Sequence, residues 1–97
     1  MMTITTALHL NHLINKAIER APEYRRAYSQ QIVTFNDGYY LVKLTMQPAG
    51  SMNRYDVKVE IDESTVLNYS HLHIGKSWSA NIGLIEAIEQ ALNLRYQ

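Results

Sequence analysis

The segment NYSHLHIGKSW, residues 68–78, holds the residues of this chain whose types and spacing could do chemistry. His71 and His73 are two residues apart, so on a strand both imidazoles would share one face, as two metal ligands can. The Gly-Lys-Ser sequence that follows, residues 75–77, matches the end of a phosphate-binding loop. Three interpretations are therefore open: a metal site, a phosphate site, and a strand that passes through a turn into a helix.

A metal site would need further ligands beside these two histidines. His9 and His12 are three residues apart in a helical pattern, so a four-histidine site could form if the two pairs converged. Structural zinc sites usually include thiolates, and this chain has no cysteine. Because nothing in the sequence requires the two pairs to meet, we expect no metal and no cofactor. The histidines are then expected to face solvent or a partner.

A phosphate-binding loop has a glycine five residues before its Gly-Lys-Ser, and Ser70 stands at that position. Such loops also lie in parallel β-α-β units, whereas the turn residues here predict strands linked by hairpins. The third interpretation is therefore favoured: a strand ends near Gly75, and Ser77 or Ser79 caps the start of a helix.

Catalytic groups are also lacking. The chain has no Gly-x-Ser-x-Gly nucleophile motif. Asp62 and Glu63 fall in a predicted turn, and Glu86 and Glu89 lie on the outer face of a predicted helix, where carboxylates are normally solvated. We therefore expect a protein that is not an enzyme and has no small-molecule substrate.

Two amphipathic helices are predicted at the ends of the chain. The first begins after Thr5 or Thr6 and stops near Pro22, which lacks an amide donor. The segment PEYRRAY can form a short second helix, because proline is a good first helical residue. The last helix has apolar residues at helical spacing; these are Trp78, Ile82, Ile85, Ile88 and Leu92.

Four segments between the helices alternate or are rich in β-branched and aromatic residues, and turn residues separate them. They are residues 31–35, 39–47, 54–62 and 65–74. The sequence therefore predicts one α+β domain over residues 1–97: a two-layer fold with an N-terminal helix, the short helix, a four-stranded antiparallel sheet and a C-terminal helix. We expect the core to include Ile14, Ile18, Val57, Val59, Ile85 and Ile88.

Composition narrows the class of protein further. A hydrophobic share of 46% with 19% charged residues is typical of a globular domain, which argues against disorder. The formal net charge is zero, so the overall field gives no reason to expect tight binding to nucleic acid. The chain lacks cysteine, a long apolar run and a signal-peptide pattern. We expect a cytoplasmic protein with no membrane partner.

One face of the predicted sheet is left without a helix to cover it. Simple alternation places large apolar and aromatic groups on this outer face, and such a surface is either covered by the chain's own loops or binds a partner. The partner-binding residues predicted on it are Tyr39, Leu41, Leu67, Tyr69, His71 and His73. The expected partner is another protein or a second copy of this chain, which would give a homodimer.

A basic segment, residues 16–28, offers an alternative site. Basic residues beside tyrosines suit contact with a phosphate backbone and stacking on bases. The nucleic-acid-binding residues of this alternative are Lys16, Arg20, Tyr24, Arg25, Arg26 and Tyr28, and Glu19 and Glu23 interrupt them.

The function expected first is therefore stoichiometric protein binding by a small non-catalytic module. Inhibitors, immunity proteins and phage anti-defence proteins of the anti-CRISPR kind are of this size and lack catalytic motifs. The alternative is a nucleic-acid-binding module that uses residues 16–28.

Overall fold

The computed structural model describes residues 4–20, 30–50 and 53–96, which form a helix, four strands and a second helix. The elements are α1 (Ile4–Arg20), β1 (Gln31–Asn36), β2 (Leu41–Pro48), β3 (Arg54–Ile61), β4 (Ser64–His73) and α2 (Trp78–Tyr96). This arrangement confirms the predicted α+β fold. The short helix predicted after Pro22 lies outside the described residues. Neither α1 nor α2 is long and apolar enough to cross a membrane.

The strands form an antiparallel meander, in the order β1-β2-β3-β4. In the first turn, the Asp37 carboxylate accepts hydrogen bonds from the amides of Tyr39 (3.0 Å) and Tyr40 (2.8 Å). The β3–β4 turn has two residues with positive φ, Asp62 at 48° and Glu63 at 72°, as a type I′ hairpin requires. Short polar turns therefore link β1 to β2 and β3 to β4.

Both helices pack on the inner face of the sheet, α1 against β1 and α2 against β4, and they also contact each other. Alternate residues of the central strands point into this layer. Of the six predicted core residues, five are buried: Ile14, Val57, Val59, Ile85 and Ile88. Ile18 is only partly buried and packs at the margin of the core.

Strand β4 departs from simple alternation at two bulges. Glu60 pairs with Thr65, but the adjacent Val59 pairs with Leu67, so Val66 is an extra residue. Each such insertion reverses which face the following residues occupy. A second irregularity lies between the pairs Val57–Tyr69 and Tyr55–Leu72.

The bulges overturn part of the predicted outer face. Leu67 and Tyr69 lie opposite Val59 and Val57, so they share the inner face and pack against the core. The prediction that they lie on the outer face is wrong, because it assumed an unbroken period of two.

Candidate functional site

The Gly-Lys-Ser segment is a structural turn before α2. The Gly75 amide donates to Asn81 Oδ1 (3.1 Å), and Asn81 Nδ2 donates to the Gly75 carbonyl (2.8 Å) and to Asn11 Oδ1 (2.7 Å). The Lys76 carbonyl accepts from Asn15 Nδ2 (3.1 Å). Because the Gly75 amide is bonded within the protein, it is not free to bind an anion as a phosphate loop does.

The two histidine pairs lie at opposite edges of the sheet. His9 and His12 are on α1 beside β1, whereas His71 and His73 are on β4. Within residues 4–20, 30–50 and 53–96, no three or more histidine, aspartate or glutamate residues are placed to hold a metal ion together.

His71 occupies the second bulge of β4 in a left-handed conformation, with φ of 56°. Its amide donates to Asp56 Oδ1 (3.1 Å), and its carbonyl accepts from Arg54 Nη1 (3.2 Å). Side chains of the neighbouring strand thus hold the bulge, and the imidazole is exposed. Left-handed backbone in a residue that is not glycine is a form of stored strain.

The six residues predicted for partner binding do not form one surface. Tyr39 lies in the β1–β2 turn and is 81% exposed, and Leu41 lies on the outer face and is 44% exposed. His71 and His73 are exposed on β4, and Leu67 and Tyr69 face inward. The other exposed side chains of the outer face are polar or charged apart from Ile32; they include Lys43, Arg54, Lys58 and Asn68. The outer face is therefore not the apolar surface that alternation predicted.

Three tyrosines that are distant in sequence meet where the β1–β2 turn approaches the end of α2. The Tyr96 ring stands edge-on to Tyr39 (ring centroids 5.9 Å apart, 87°) and to Tyr40 (5.1 Å, 79°). We call Tyr39, Tyr40 and Tyr96 the tyrosine cluster. The Tyr96 hydroxyl donates to Asp37 Oδ2, and the Tyr40 hydroxyl donates to the Arg95 carbonyl (3.1 Å). The cluster is thus fixed at both its strand side and its helix side.

The bond between Asp37 and Tyr96 shifts the ionisation of both groups. Partial burial acts to raise the pKa of Asp37, but hydrogen bonds from the Tyr96 hydroxyl and from the amides of Tyr40 and Tyr39 outweigh it, so the pKa is lowered. The same hydrogen bond to the carboxylate raises the pKa of Tyr96 to about 12. At neutral pH the pair is therefore a charged acceptor and a neutral donor.

An apolar groove of about 470 Å³ runs beside the cluster, between α2 and β4. Its lining residues are Val66, Leu67, Ala87, Gln90, Ala91, Leu94 and Arg95. Leu94 is 70% exposed at its margin. Arg95 joins the groove to the cluster, since its guanidinium donates to the Ile61 carbonyl (3.2 Å) while its own carbonyl holds Tyr40.

The alternative basic segment is described only in part. Lys16 is exposed on α1 with its Nζ atom 4.0 Å from Glu19 Oε2, and Arg20 is the last residue of the helix. Tyr24, Arg25, Arg26 and Tyr28 lie outside the described residues. Nucleic-acid binding by this segment stays a prediction.

Sequence patterns identified Tyr39 but not the cluster around it. Tyr96 follows Tyr39 by more than fifty residues, and no local periodicity links a hairpin turn to the end of a distant helix. The only local signals were the Asn-Asp-Gly turn and the two adjacent tyrosines after it. Comparison of the chain with protein families, with curated proteins and with solved structures finds no match.

Proposed function

We propose that this protein is a stoichiometric protein-binding module and that the tyrosine cluster is its contact surface. One observation carries the proposal: Tyr39 is 81% exposed, yet its ring is held against Tyr96, which is itself bonded to Asp37. An exposed aromatic ring that is already fixed loses little conformational entropy when a partner covers it.

Neighbouring surface suits the same role. The apolar groove and Leu94 adjoin the cluster through Arg95, so an aromatic contact, apolar area and a cationic side chain lie together. Tyrosine and arginine are enriched among residues that dominate binding energy at protein interfaces. An inhibitor, immunity or anti-defence protein in the cytoplasm would work in this way, and the cysteine-free sequence is in keeping with a reducing compartment.

The proposal is tested by capturing partners from a lysate of the source organism. The chain has no cysteine, so a Lys76→Cys variant can be immobilised through a single thiol. Lys76 is exposed and precedes the start of α2, at the far end of that helix from Tyr96. Tyr39→Ser in this background is expected to weaken capture of the partner by about thirtyfold, because tyrosines central to interfaces contribute about 2 kcal/mol or more.

A matched control is His73→Ser, which removes an exposed ring from the outer sheet face. It should leave capture unchanged, and both variants should remain folded and unfold cooperatively, with a small loss of stability for Tyr39→Ser because it loses the contact with Tyr96. If His73→Ser abolishes capture and Tyr39→Ser does not, the outer face is the binding surface and the proposal is wrong. Retention that is lost only on nuclease treatment would instead favour the nucleic-acid alternative.

A further inference from the structure

The two edge strands of the sheet differ in how open they are to a further strand. Strand β4 carries two bulges, which disrupt the regular ladder that an added strand would need. Strand β1 pairs with β2 in unbroken register, and its sequence QIVTFN contains no proline and no charge. Among the described residues no strand pairs with its other side. Of the two edge strands, β1 therefore has the regular backbone, and it lacks the bulges, proline and charged side chains that usually block pairing with a further strand.

The backbone groups on the free side of β1 follow from the β2 contacts. Leu41 donates its amide to Asp62 Oδ1 (3.0 Å), and its carbonyl accepts from the Asp62 amide (2.9 Å), so both groups point toward the β3 side. Leu41 pairs with Asn36. Because the backbone groups of Leu41 point toward β3, these two residues exchange no hydrogen bonds with each other. By the alternation of antiparallel ladders, the N–H and C=O groups of Asn36, Thr34 and Ile32 all point outward.

A groove of about 390 Å³ follows this edge beneath α1. The described residues that line it are His9, His12, Leu13, Lys16, Ala17, Ile32, Val33 and Thr34, and none of these carries a carboxylate. Among the described residues, the ion pair of Lys16 is with Glu19, at 4.0 Å, and both side chains are about half exposed, so the pairing is weak. The groove thus offers an outward backbone ladder, a half-exposed Ile32, and a helix face that carries one lysine and two imidazoles.

We propose that β1 and this groove bind an extended, acidic segment of a partner protein as a fifth strand. The partner's backbone would pair with Ile32, Thr34 and Asn36, and its carboxylates would face His9, His12 and Lys16. Charge and hydrogen bonding select this occupant: Lys16 is cationic, an imidazole N–H can donate to a carboxylate, and a second copy paired through the same edge would bring a second Lys16 to the first. A nucleic acid has no strand backbone with which to continue the ladder. The proposed site is separate from the tyrosine cluster.

The probe is a synthetic peptide of eight residues that alternates valine with glutamate, compared with the same peptide carrying lysine for glutamate. Titration into the ¹⁵N-labelled protein should shift the amide signals of Ile32, Thr34 and Asn36, and the glutamate peptide should bind about tenfold more tightly or better. His12→Ala combined with Lys16→Ala should remove that preference. Tyr39→Ser should leave the preference for the glutamate peptide unchanged. The experiment therefore distinguishes a failure of this proposal from a failure of the proposed function.

The backbone part is tested by Thr34→Pro, which deletes one outward donor at an edge position where proline is compatible with folding. Binding should fall at least tenfold. A peptide N-methylated at alternate residues should lose binding equally, and it tests the ladder even if the proline variant does not fold.

The proposal is overturned by equal binding of the glutamate and lysine peptides, by binding of the methylated peptide, or by shifts that avoid β1. It is also overturned if the three amides resist hydrogen exchange in the free protein, because the chain itself or a second copy then covers the edge. A short single-stranded RNA that displaces the peptide would equally contradict it, since the groove would then be a nucleic-acid site.

Discussion

At the scale of single residues, two residues other than glycine have a backbone conformation that glycine would adopt with less strain. Both Glu63 and His71 have left-handed backbone, which costs about 1 kcal/mol or more in residues other than glycine. In the turn, the strain follows from the tight connection between β3 and β4. At the bulge, the side chains of Asp56 and Arg54 bond the backbone amide and carbonyl of His71, and its imidazole is exposed. The residue type at position 71 is therefore not explained by local backbone preference.

We expect His71→Gly to raise the free energy of unfolding by about 0.5 to 1 kcal/mol, because glycine adopts positive φ without strain. Urea denaturation measures the change. Glu63→Gly is the matched control, with the same conformation in an ordinary turn, and should stabilise by a similar amount. If only Glu63→Gly stabilises, the imidazole itself contributes to the stability of the bulge.

Asp37 and Tyr96 give a second test at this scale. We expect Asp37→Asn to lower the pKa of Tyr96 from about 12 toward its ordinary value of 10.0, because the charged acceptor is lost. NMR titration of the Tyr96 ring carbon that bears the hydroxyl measures this directly. Asp56→Asn, on the outer sheet face, should leave it unchanged. A wild-type Tyr96 that titrates near 10 would contradict the hydrogen bond.

The sign of the linked stability follows from the two shifts. A raised pKa for Tyr96 means that its bond to Asp37 stabilises the fold below pH 10 and is lost as the pH rises toward about 12. A lowered pKa for Asp37 means that the stabilisation from its hydrogen bonds is present above pH 3.8. This stabilisation is lost as the pH falls through the lowered pKa. The tyrosine cluster should therefore be held firmly across the whole neutral range.

At the scale of elements, one amide side chain joins three parts of the fold. Asn81 is 1% exposed on α2, and it bonds both backbone groups of Gly75 and the side chain of Asn11 on α1. It therefore fixes the end of the β4–α2 connection against both helices. A buried amide is tolerated there because its partners satisfy it.

We expect Asn81→Ala to lower the free energy of unfolding by about 2 to 3 kcal/mol, since it leaves buried donor and acceptor groups without partners. Thermal or urea unfolding measures the loss. Asn68→Ala removes an exposed amide from β4 and should change stability by less than about 0.5 kcal/mol. If both variants behave alike, the Asn81 contacts do not hold the connection in solution.

At the scale of the whole molecule, the sequence predicted the layers but not the surfaces. The alternation of β3 from Tyr55 to Ile61 correctly assigned its inner face, because regular pairing preserves the period of two. The faces of β4 could not be predicted, since its second bulge depends on Asp56 and Arg54 in another strand. Contacts that join distant segments, such as Tyr39 with Tyr96, leave no local pattern.

The wrong assignment of the β4 faces and the missed tyrosine cluster have the same physical origin. Local propensity decides whether a segment is a helix or a strand, and it did so well for α1, α2 and the four strands. Which side chains remain exposed depends on register shifts and on tertiary contacts, which a single sequence encodes only through many weak preferences. The predicted binding surface was thus divided among the turn, the outer face and the core.

The order of the elements also has a consequence for synthesis. Each strand pairs with the strand before it, so the sheet can assemble by local hairpins while translation continues. Helix α2 follows the whole sheet in sequence, and it supplies the fully buried Ile88 and Leu92. Until it emerges from the ribosome, the inner face around Leu67 and Tyr69 has no helix to cover it and is open to chaperones. The nascent chain therefore leaves the inner face of β4 uncovered until α2 docks on it.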